Sequence, residues 1–243
     1  MKIKLDILRR ENSESEPYRQ CVVFETDDEN ATVATALTEI NNKGNYKDEN
    51  GKTVAPIHWE CSCLQKKCGA CAMVINNKPQ LACNARLKLY EKKGIVTVEP
   101  LKKFPVIADL AADRSIIFEN LKTMKIWLES QTKVDECVSE SVYDASRCLQ
   151  CGCCLEVCPN FYVGSDFFGM SGTVSASKII SSAGGEQKKE IAAAYKKHSY
   201  NGCGKSLACR DVCPAGIDVE RLLVNSNAAA VWGRKIGKKN KKA

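Results

Sequence analysis

Cys148-Leu-Gln-Cys151-Gly-Cys153-Cys154-Leu-Glu-Val-Cys158-Pro159 decides how the second half of the chain folds, because its cysteines fall at C-x2-C-x2-C-x3-C-P, an iron–sulfur spacing. Three thiolates two residues apart wrap one tight loop around a cubane. The fourth, followed by a helix-limiting proline, points to a second cluster, so a partner motif is required elsewhere. It stands at Cys203-Gly-Lys-Ser206-Leu-Ala-Cys209-Arg-Asp-Val-Cys213-Pro214, which keeps the x3-C-P ending but has serine where the second cysteine would fall. The crossover assigns Cys148, Cys151, Cys154 and Cys213 to a [4Fe–4S] cluster and leaves Cys158, Cys203 and Cys209 for the other site. Three thiolates suit [3Fe–4S]. A serine alkoxide is the alternative fourth ligand, but its high pKa and hard oxygen match this chemistry poorly, so Ser206 is read as a non-ligand.

Upstream, Cys61-Ser-Cys63-Leu-Gln-Lys-Lys-Cys68-Gly69-Ala70-Cys71 precedes a short apolar run, an Asn76-Asn77 turn and Cys83. Cys63, Cys68, Cys71 and Cys83 make C-x4-C-x2-C with a distal cysteine, the plant-type [2Fe–2S] pattern, whereas starting at Cys61 would break it. Gly69 and Ala70 are small enough for the loop's N–H groups to approach sulfide. Zinc is the competing reading of C-x2-C pairs. It gives no use to the crossover cysteine before proline or to two independent iron–sulfur spacings in one chain. Cys21, Cys61, Cys137 and Cys153 fall outside the ligand sets and are read as incidental or buried thiols. His58 and His198 sit at no ligand spacing and are read as structural. No residue is read as catalytic.

Around the first motif the pattern is that of a sheet. Ile3, Leu5 and Ile7 alternate with Lys2, Lys4 and Asp6, and Tyr18 to Phe24 reads as a returning strand. Asn30 or Thr32 can cap a helix bearing Val33, Ala36, Leu37 and Ile40 on one face, closed by Asn41-Asn42-Lys43-Gly44. Ile95 to Glu99 completes the sheet. From Leu101 the pattern turns helical, with Ile116, Ile117, Asn120, Leu121, Met124, Trp127 and Leu128 on one face. Further helices are expected at residues 173–182, 186–197 and 219–232, with Gly184-Gly185 a loop. The expected fold is α+β: an N-terminal β-grasp [2Fe–2S] ferredoxin-type domain over 1–102, a helical bacterial-ferredoxin-like two-cluster domain over 103–230, and a basic tail over 231–243.

The 243 residues are 44% hydrophobic and 27% charged, ordinary values for a soluble globular chain. Fifteen cysteines would suggest disulfides in a secreted protein, but Met1-Lys-Ile-Lys-Leu-Asp carries charge where a signal peptide needs an apolar run, so reduced thiols in the cytoplasm are expected. No apolar run approaches the roughly 18 residues of a membrane span. The net charge is +7, and Arg234, Lys235, Lys238, Lys239, Lys241 and Lys242 supply most of it. Such a tail is a solvated end or attracts anionic headgroups or an acidic partner. Nucleic acid is not an expected partner, since no aromatic platform or recognition motif accompanies the charge.

Cys63-x4-Cys68-Gly-Ala-Cys71-Ala-Met, Cys148-x2-Cys151-Gly-Cys-Cys154-x3-Cys158-Pro and Cys203-x5-Cys209-x3-Cys213-Pro together resemble the iron–sulfur subunit of succinate dehydrogenase and fumarate reductase, over nearly the whole chain. The resemblance implies a relay through [2Fe–2S], [4Fe–4S] and [3Fe–4S] clusters in that order. Its partners would be a flavoprotein subunit with covalent FAD, where succinate and fumarate interconvert, and a membrane anchor cytochrome b subunit serving quinone. It also implies a peripheral position on the cytoplasmic face of the inner membrane. Many members carry tryptophan shortly after the crossover Cys-Pro and histidine after the first cysteine of the last motif. This chain has Asn160-Phe161-Tyr162-Val163 and Gly204-Lys205 there. The Cys-Gly-Cys-Cys form resembles the menaquinone-reacting branch whose anchor holds haem b. Leu64-Gln65-Lys66-Lys67 also departs from the usual Arg-Glu-Gly loop, and its positive charge should raise the [2Fe–2S] potential. The competing reading is the same relay serving a soluble flavoprotein reductase with a thiol or ferredoxin donor.

Overall fold

The computed structural model describes residues 1–129 and 136–232, in two compact units that divide between Arg114 and Ser115. In the first, the alternation of Ile3, Leu5 and Ile7 produces β1 (Lys2–Arg9), and β2 (Tyr18–Glu25) returns antiparallel with Ile3 opposite Phe24 and Leu5 opposite Val22. Helix α1 (Val33–Lys43) buries Val33, Ala36, Leu37 and Ile40, the residues whose spacing predicts it. Of the two candidate caps the fold uses Thr32. Its hydroxyl accepts from the Thr35 N–H and the Thr35 hydroxyl accepts from the Thr32 N–H, both at 3.1 Å. Thr32→Ala is expected to cost about 1 kcal/mol, read as a lower urea midpoint for the unit.

Two short strands follow, β3 (Ala72–Ile75) and β4 (Lys78–Leu81), paired antiparallel. Asn76 and Asn77 join them at φ +48° and +62°, the left-handed pair that a two-residue hairpin needs and asparagine tolerates. β5 (Ile95–Glu99) runs parallel to β1 and antiparallel to β3, giving the order β2-β1-β5-β3-β4. It is therefore the centre of a mixed sheet. Leu5, Ile7, Val22, Phe24, Leu37, Met73, Ile75, Val96 and Val98 form its buried interior.

The same alternation places Arg9 on the inward face beyond Ile7, where it is only 3% exposed. A buried guanidinium needs a counter-charge. β6 (Val106–Ala108) and β7 (Ala111–Ala112) supply it from the turn between them, in Asp109, itself 2% exposed. This hairpin is why the unit ends later than the change of pattern near Pro100–Pro105 suggests. Arg9 Nε donates to Asp109 Oδ1 at 2.8 Å, and its other nitrogens donate to the Gln20 side chain and to the Ala55 and Pro56 carbonyls. Asp109 also accepts from the Arg10 and His58 N–H groups at 3.0 and 2.8 Å.

The second unit is helical: α2 (Ser115–Thr123), α3 (Glu136–Ser146), α4 (Cys153–Glu156), α5 (Gly169–Ser182), α6 (Gly185–Tyr195) and α7 (Val219–Ala230). Helix α5 is its axis, packed against each of the other five. One side of it, with Ala176, Ile179 and Ile180, meets Met124, Ile191 and Tyr195. The other, with Met170 and Val174, meets Ile217, Val219, Leu222 and Leu223. Its enclosed hydroxyls turn back on their own helix, Thr173 to the Gly169 carbonyl at 3.1 Å and Ser177 to that of Val174 at 2.7 Å.

Several boundaries differ from those the sequence predicts. The apolar stripe from Ile116 to Leu128 is not one helix face, since α2 stops at Thr123, Lys125 takes φ +51°, and Trp127 and Leu128 are exposed. Helix α5 begins earlier than Thr173, and α6 runs on into a wide π turn over Lys196–Tyr200. Among the described residues no helix is long and apolar enough to cross a membrane. The basic tail from residue 233 onward and the side chain of Cys137 lie outside the described residues.

Candidate metal centres

The first constellation is built on the loop from Cys63 to Cys71. Leu64 and Lys66 adopt φ +53° and +60°, which turns successive N–H groups inward. Gln65 and Lys67 accordingly donate to the Cys63 sulfur, both at 3.3 Å. These bonds pull the Cys63 thiol down to about 7, with Cys68 hydrogen-bonded beside it. Cys71 is buried, and burial pushes its thiol up to about 12, with Cys83 and Cys68 as near neighbours. Cys83 is brought there by the Ala82 N–H, which donates to the Cys71 carbonyl at 2.9 Å. The following segment is tied to the start of α1, where Val33 donates to Ala85 and Leu87 to Ala31, each at 2.9 Å. Cys63, Cys68, Cys71 and Cys83 therefore stand together, and Cys61 is exposed.

In the second unit Cys148, Cys151, Cys154 and Cys213 line one cavity with the apolar side chains of Met170, Val174, Ile217 and Val219. Gln150 at φ +51° and Gly152 at +86° bend the loop around it, and the Gln150 side-chain amide donates to Ser175 on α5 at 2.9 Å. Burial raises the Cys148 thiol to about 11 and pushes Cys154 well above its ordinary value, with neighbouring thiols adding to both shifts. Cys158, Cys203 and Cys209 line a second cavity together with Ser206. Burial raises Cys209 to about 11, and Cys158 and Cys203 are near enough to add to the shift. Met170 lines both cavities, so α5 holds the two loops in register. Asn160 links them again, its side-chain amide donating to the Gly202 carbonyl at 2.6 Å.

The donor chemistry fits iron–sulfur clusters. Thiols held above their ordinary pKa stay protonated without a cation, and metal binding releases those protons as the site forms. Among the described residues no three His, Cys, Asp or Glu side chains close on a single ion position. The cysteines of the second unit instead ring cavities. Cys153 is buried but lines neither cavity, and Cys21 is half-buried in β2. His198 stacks on Phe168 at 4.2 Å, with its Nδ1 2.8 Å from the Asp166 carbonyl, and His58 contributes backbone bonds to Asp109 and Leu110.

Gly169, at the start of α5, takes φ +65°, and a Cβ there would lie 2.3 Å from Leu155 Cδ2 on α4. Gly169→Ala is expected to add an overpacking cost of about 1–3 kcal/mol to a backbone cost of about 1–2 kcal/mol. The measurement is loss of the second unit's cluster absorbance at a lower denaturant concentration, with the first unit unaffected.

Sequence spacing identifies the cysteines but not the groups that hold their loops, which are Gln150, Asn160 and Arg114. The Arg114 guanidinium donates to the Gly69 and Ala70 carbonyls, both at 3.0 Å. Gln150 and Asn160 are polar residues within or next to a motif, of which every loop has several, and Arg114 is 45 positions from Gly69, so no local signal marks it.

Comparison with known proteins gives a concordant picture. Residues 4–119 match the 2Fe-2S iron-sulfur cluster binding domain and residues 144–217 the 4Fe-4S dicluster domain. The chain is 34% identical over 237 residues to the succinate dehydrogenase iron-sulfur subunit of Bacillus subtilis, covering 93% of this chain and 91% of that one. It is 28% identical over 176 residues to the fumarate reductase iron-sulfur subunit of Wolinella succinogenes, covering 68% and 73%. An uncharacterized iron-sulfur protein of Methanocaldococcus jannaschii is 32% identical over 213 residues, 85% of this chain but 40% of that longer one. The fold is shared with a chain of the Mycobacterium smegmatis Sdh1 complex, at a TM-score of 0.74 and 20% identity over 94% of this chain and 95% of that one. With a 2Fe–2S domain of mixed sheet, a helical 4Fe–4S dicluster domain and this relationship over nearly its full length, the chain belongs to the family of electron-transferring iron–sulfur subunits of succinate dehydrogenase and fumarate reductase.

Proposed function

We propose that Cys63, Cys68, Cys71 and Cys83 hold a [2Fe–2S] cluster, Cys148, Cys151, Cys154 and Cys213 a [4Fe–4S] cluster, and Cys158, Cys203 and Cys209 a [3Fe–4S] cluster with Ser206 unligated. The observation that carries this reading is the crossover of the cavities. Cys213 faces the cysteines of the earlier motif and Cys158 those of the later one, so two loops far apart in sequence share each site. When bound, the clusters supply one-electron carriage, while the chemistry at the organic substrate belongs to a flavin partner. The chain's own residues fix where each cluster sits, and Met170, Val174, Ile217 and Val219 keep water from one of them.

The partners in this reading are a flavoprotein subunit with FAD and a membrane anchor cytochrome b subunit carrying haem b and serving menaquinone. The chain would sit peripherally on the cytoplasmic face of the membrane. Support for a quinone held by the anchor, away from the residues that follow Cys203, comes from Asn160 and Gly204. A Cβ at Gly204 would lie 3.0 Å from the Asn160 amide nitrogen, so a side chain there would require the Asn160 side chain to shift by a few tenths of an ångström. The residues Asn160-Phe161-Tyr162-Val163 and Gly204-Lys205, which stand where many members of the family carry tryptophan and histidine, also support a second reading, in which the same relay serves a soluble flavoprotein reductase with a thiol or ferredoxin donor.

Purification of the tagged chain from detergent-solubilised membranes separates the two. The expected result is a covalently flavinylated polypeptide and a haem b protein in the same fraction, with succinate reducing the clusters. A soluble flavoprotein without haem, unresponsive to succinate, would favour the second reading. Within the complex, Cys71→Ser is expected to abolish reduction by succinate while leaving the two later cluster signals after dithionite. Loss of all three signals together would mean that the two units assemble as one.

A further inference from the structure

The loop that closes the first site is held from outside by a cation. Arg114 Nη1 donates to the Gly69 carbonyl and Nη2 to that of Ala70, the only two residues between Cys68 and Cys71. Its side chain is 14% exposed, and its charge is paired with the Glu60 carboxylate, which is 47% exposed. In a trans peptide the N–H points opposite to the carbonyl. Fixing the Gly69 and Ala70 carbonyls towards Arg114 therefore turns the N–H groups of Ala70 and Cys71 away from it, where they can face sulfide. Gly69 at φ +77° permits the bend that presents both carbonyls to one guanidinium. Only a planar fork spans two adjacent carbonyls and a carboxylate at once.

From this geometry we infer that Arg114 is a positioning residue that sets the reduction potential of the cluster at Cys63, Cys68, Cys71 and Cys83, with Glu60 as the opposing charge that tempers it. The inference rests on the ligand reading above. Reduction adds one electron and no proton, so the cluster becomes more negative by one charge. A nearby cation favours that state and a nearby carboxylate opposes it. Arg114 acts in two ways, by its charge and by aiming the loop's N–H dipoles. Among the described residues Glu60 is hydrogen-bonded to the guanidinium and not to the loop's backbone, and Glu60→Gln removes its charge while keeping an acceptor for Arg114.

The test is a redox titration of the whole complex, following the reduced [2Fe–2S] EPR signal in the unsubstituted protein and in Arg114→Gln, Arg114→Lys and Glu60→Gln. Arg114→Gln should lower the midpoint potential, Arg114→Lys should lower it less, and Glu60→Gln should raise it at unchanged cluster content. A merely structural role would lower occupancy without shifts of opposite sign. If Arg114→Gln fails to assemble, Glu60→Gln decides alone: a rise supports the inference, and no change or a fall overturns it. Unmoved potentials in all variants, beside a normal unsubstituted signal, overturn this inference and leave the ligand reading standing. Absence of a [2Fe–2S] signal from the unsubstituted protein overturns both.

Discussion

Asp109→Ala is expected to destabilise the first unit by about 3–5 kcal/mol, the range for removing one partner of a buried ion pair. That would be a large part of the stability of a unit this size. The substitution strips the counter-charge from Arg9, which is almost fully enclosed, and leaves the Arg10 and His58 N–H groups without their acceptor. The pair joins β1, the segment at residues 55–58 and the β6–β7 hairpin, so its loss should loosen all three. Urea unfolding followed by the [2Fe–2S] visible circular dichroism is the measurement. The [4Fe–4S] signals of the second unit should persist where the first has melted. Replacing both partners, as Arg9→Met with Asp109→Leu, should cost less than Asp109→Ala alone, because no charge is left buried. A change under about 0.5 kcal/mol for Asp109→Ala would mean that water reaches Arg9 and stands in for the carboxylate.

Ser206→Cys is expected to convert the third cluster from [3Fe–4S] to [4Fe–4S]. Ser206 already lines the cavity with Cys158, Cys203 and Cys209, so a thiolate at that position would complete the four-cysteine pattern of the motif. Lys205 and Leu207 on either side take φ +57° and +56°, so the loop is already bent around the position. The oxidised [3Fe–4S] resonance should disappear, and a second reduced [4Fe–4S] signal should take its place. The midpoint potential of the site should shift, since it is set in part by cluster type, and the rate of transfer to a quinone partner should change with it. Persistence of the [3Fe–4S] signal at full strength would show that the substituted side chain turns towards solvent, on which Ser206 now borders.

Much of this architecture is legible in the residues because two periodicities and three spacings are strong signals. The alternation of Ile3, Leu5 and Ile7 and the i, i+3, i+4, i+7 stripe of Val33, Ala36, Leu37 and Ile40 each have one physical solution. The clustering of thiols follows from spacing in the same way, since a C-x2-C loop is too short to send its cysteines apart. What escapes is whatever depends on partners distant in sequence. Arg9 and Asp109 are separated by 100 positions, and nothing local marks either as buried. Arg114 reads as one surface charge among many until the backbone brings it beneath Gly69. Helix α3 escapes because most of Glu-Cys-Val-Ser-Glu-Ser-Val-Tyr-Asp-Ala-Ser is made of weak helix formers, Ser, Val, Cys, Tyr and Asp. The start of α5 escapes because Gly169-Met-Ser-Gly172 reads as a loop, although small residues are what a helix enclosed by five others requires. In the opposite direction, Trp127 and Leu128 continue an apolar stripe by spacing alone, and the helix beneath them has already ended.

The central claim is that three different clusters occupy three sets of cysteines in one chain. Low-temperature EPR of the chain with its partners, as isolated and after dithionite, reads all three sites in one preparation. The account predicts a sharp oxidised [3Fe–4S] signal, with reduced [2Fe–2S] and [4Fe–4S] signals appearing on reduction. Two [4Fe–4S] signals with no oxidised [3Fe–4S] resonance, or the absence of any cluster signal, would contradict it.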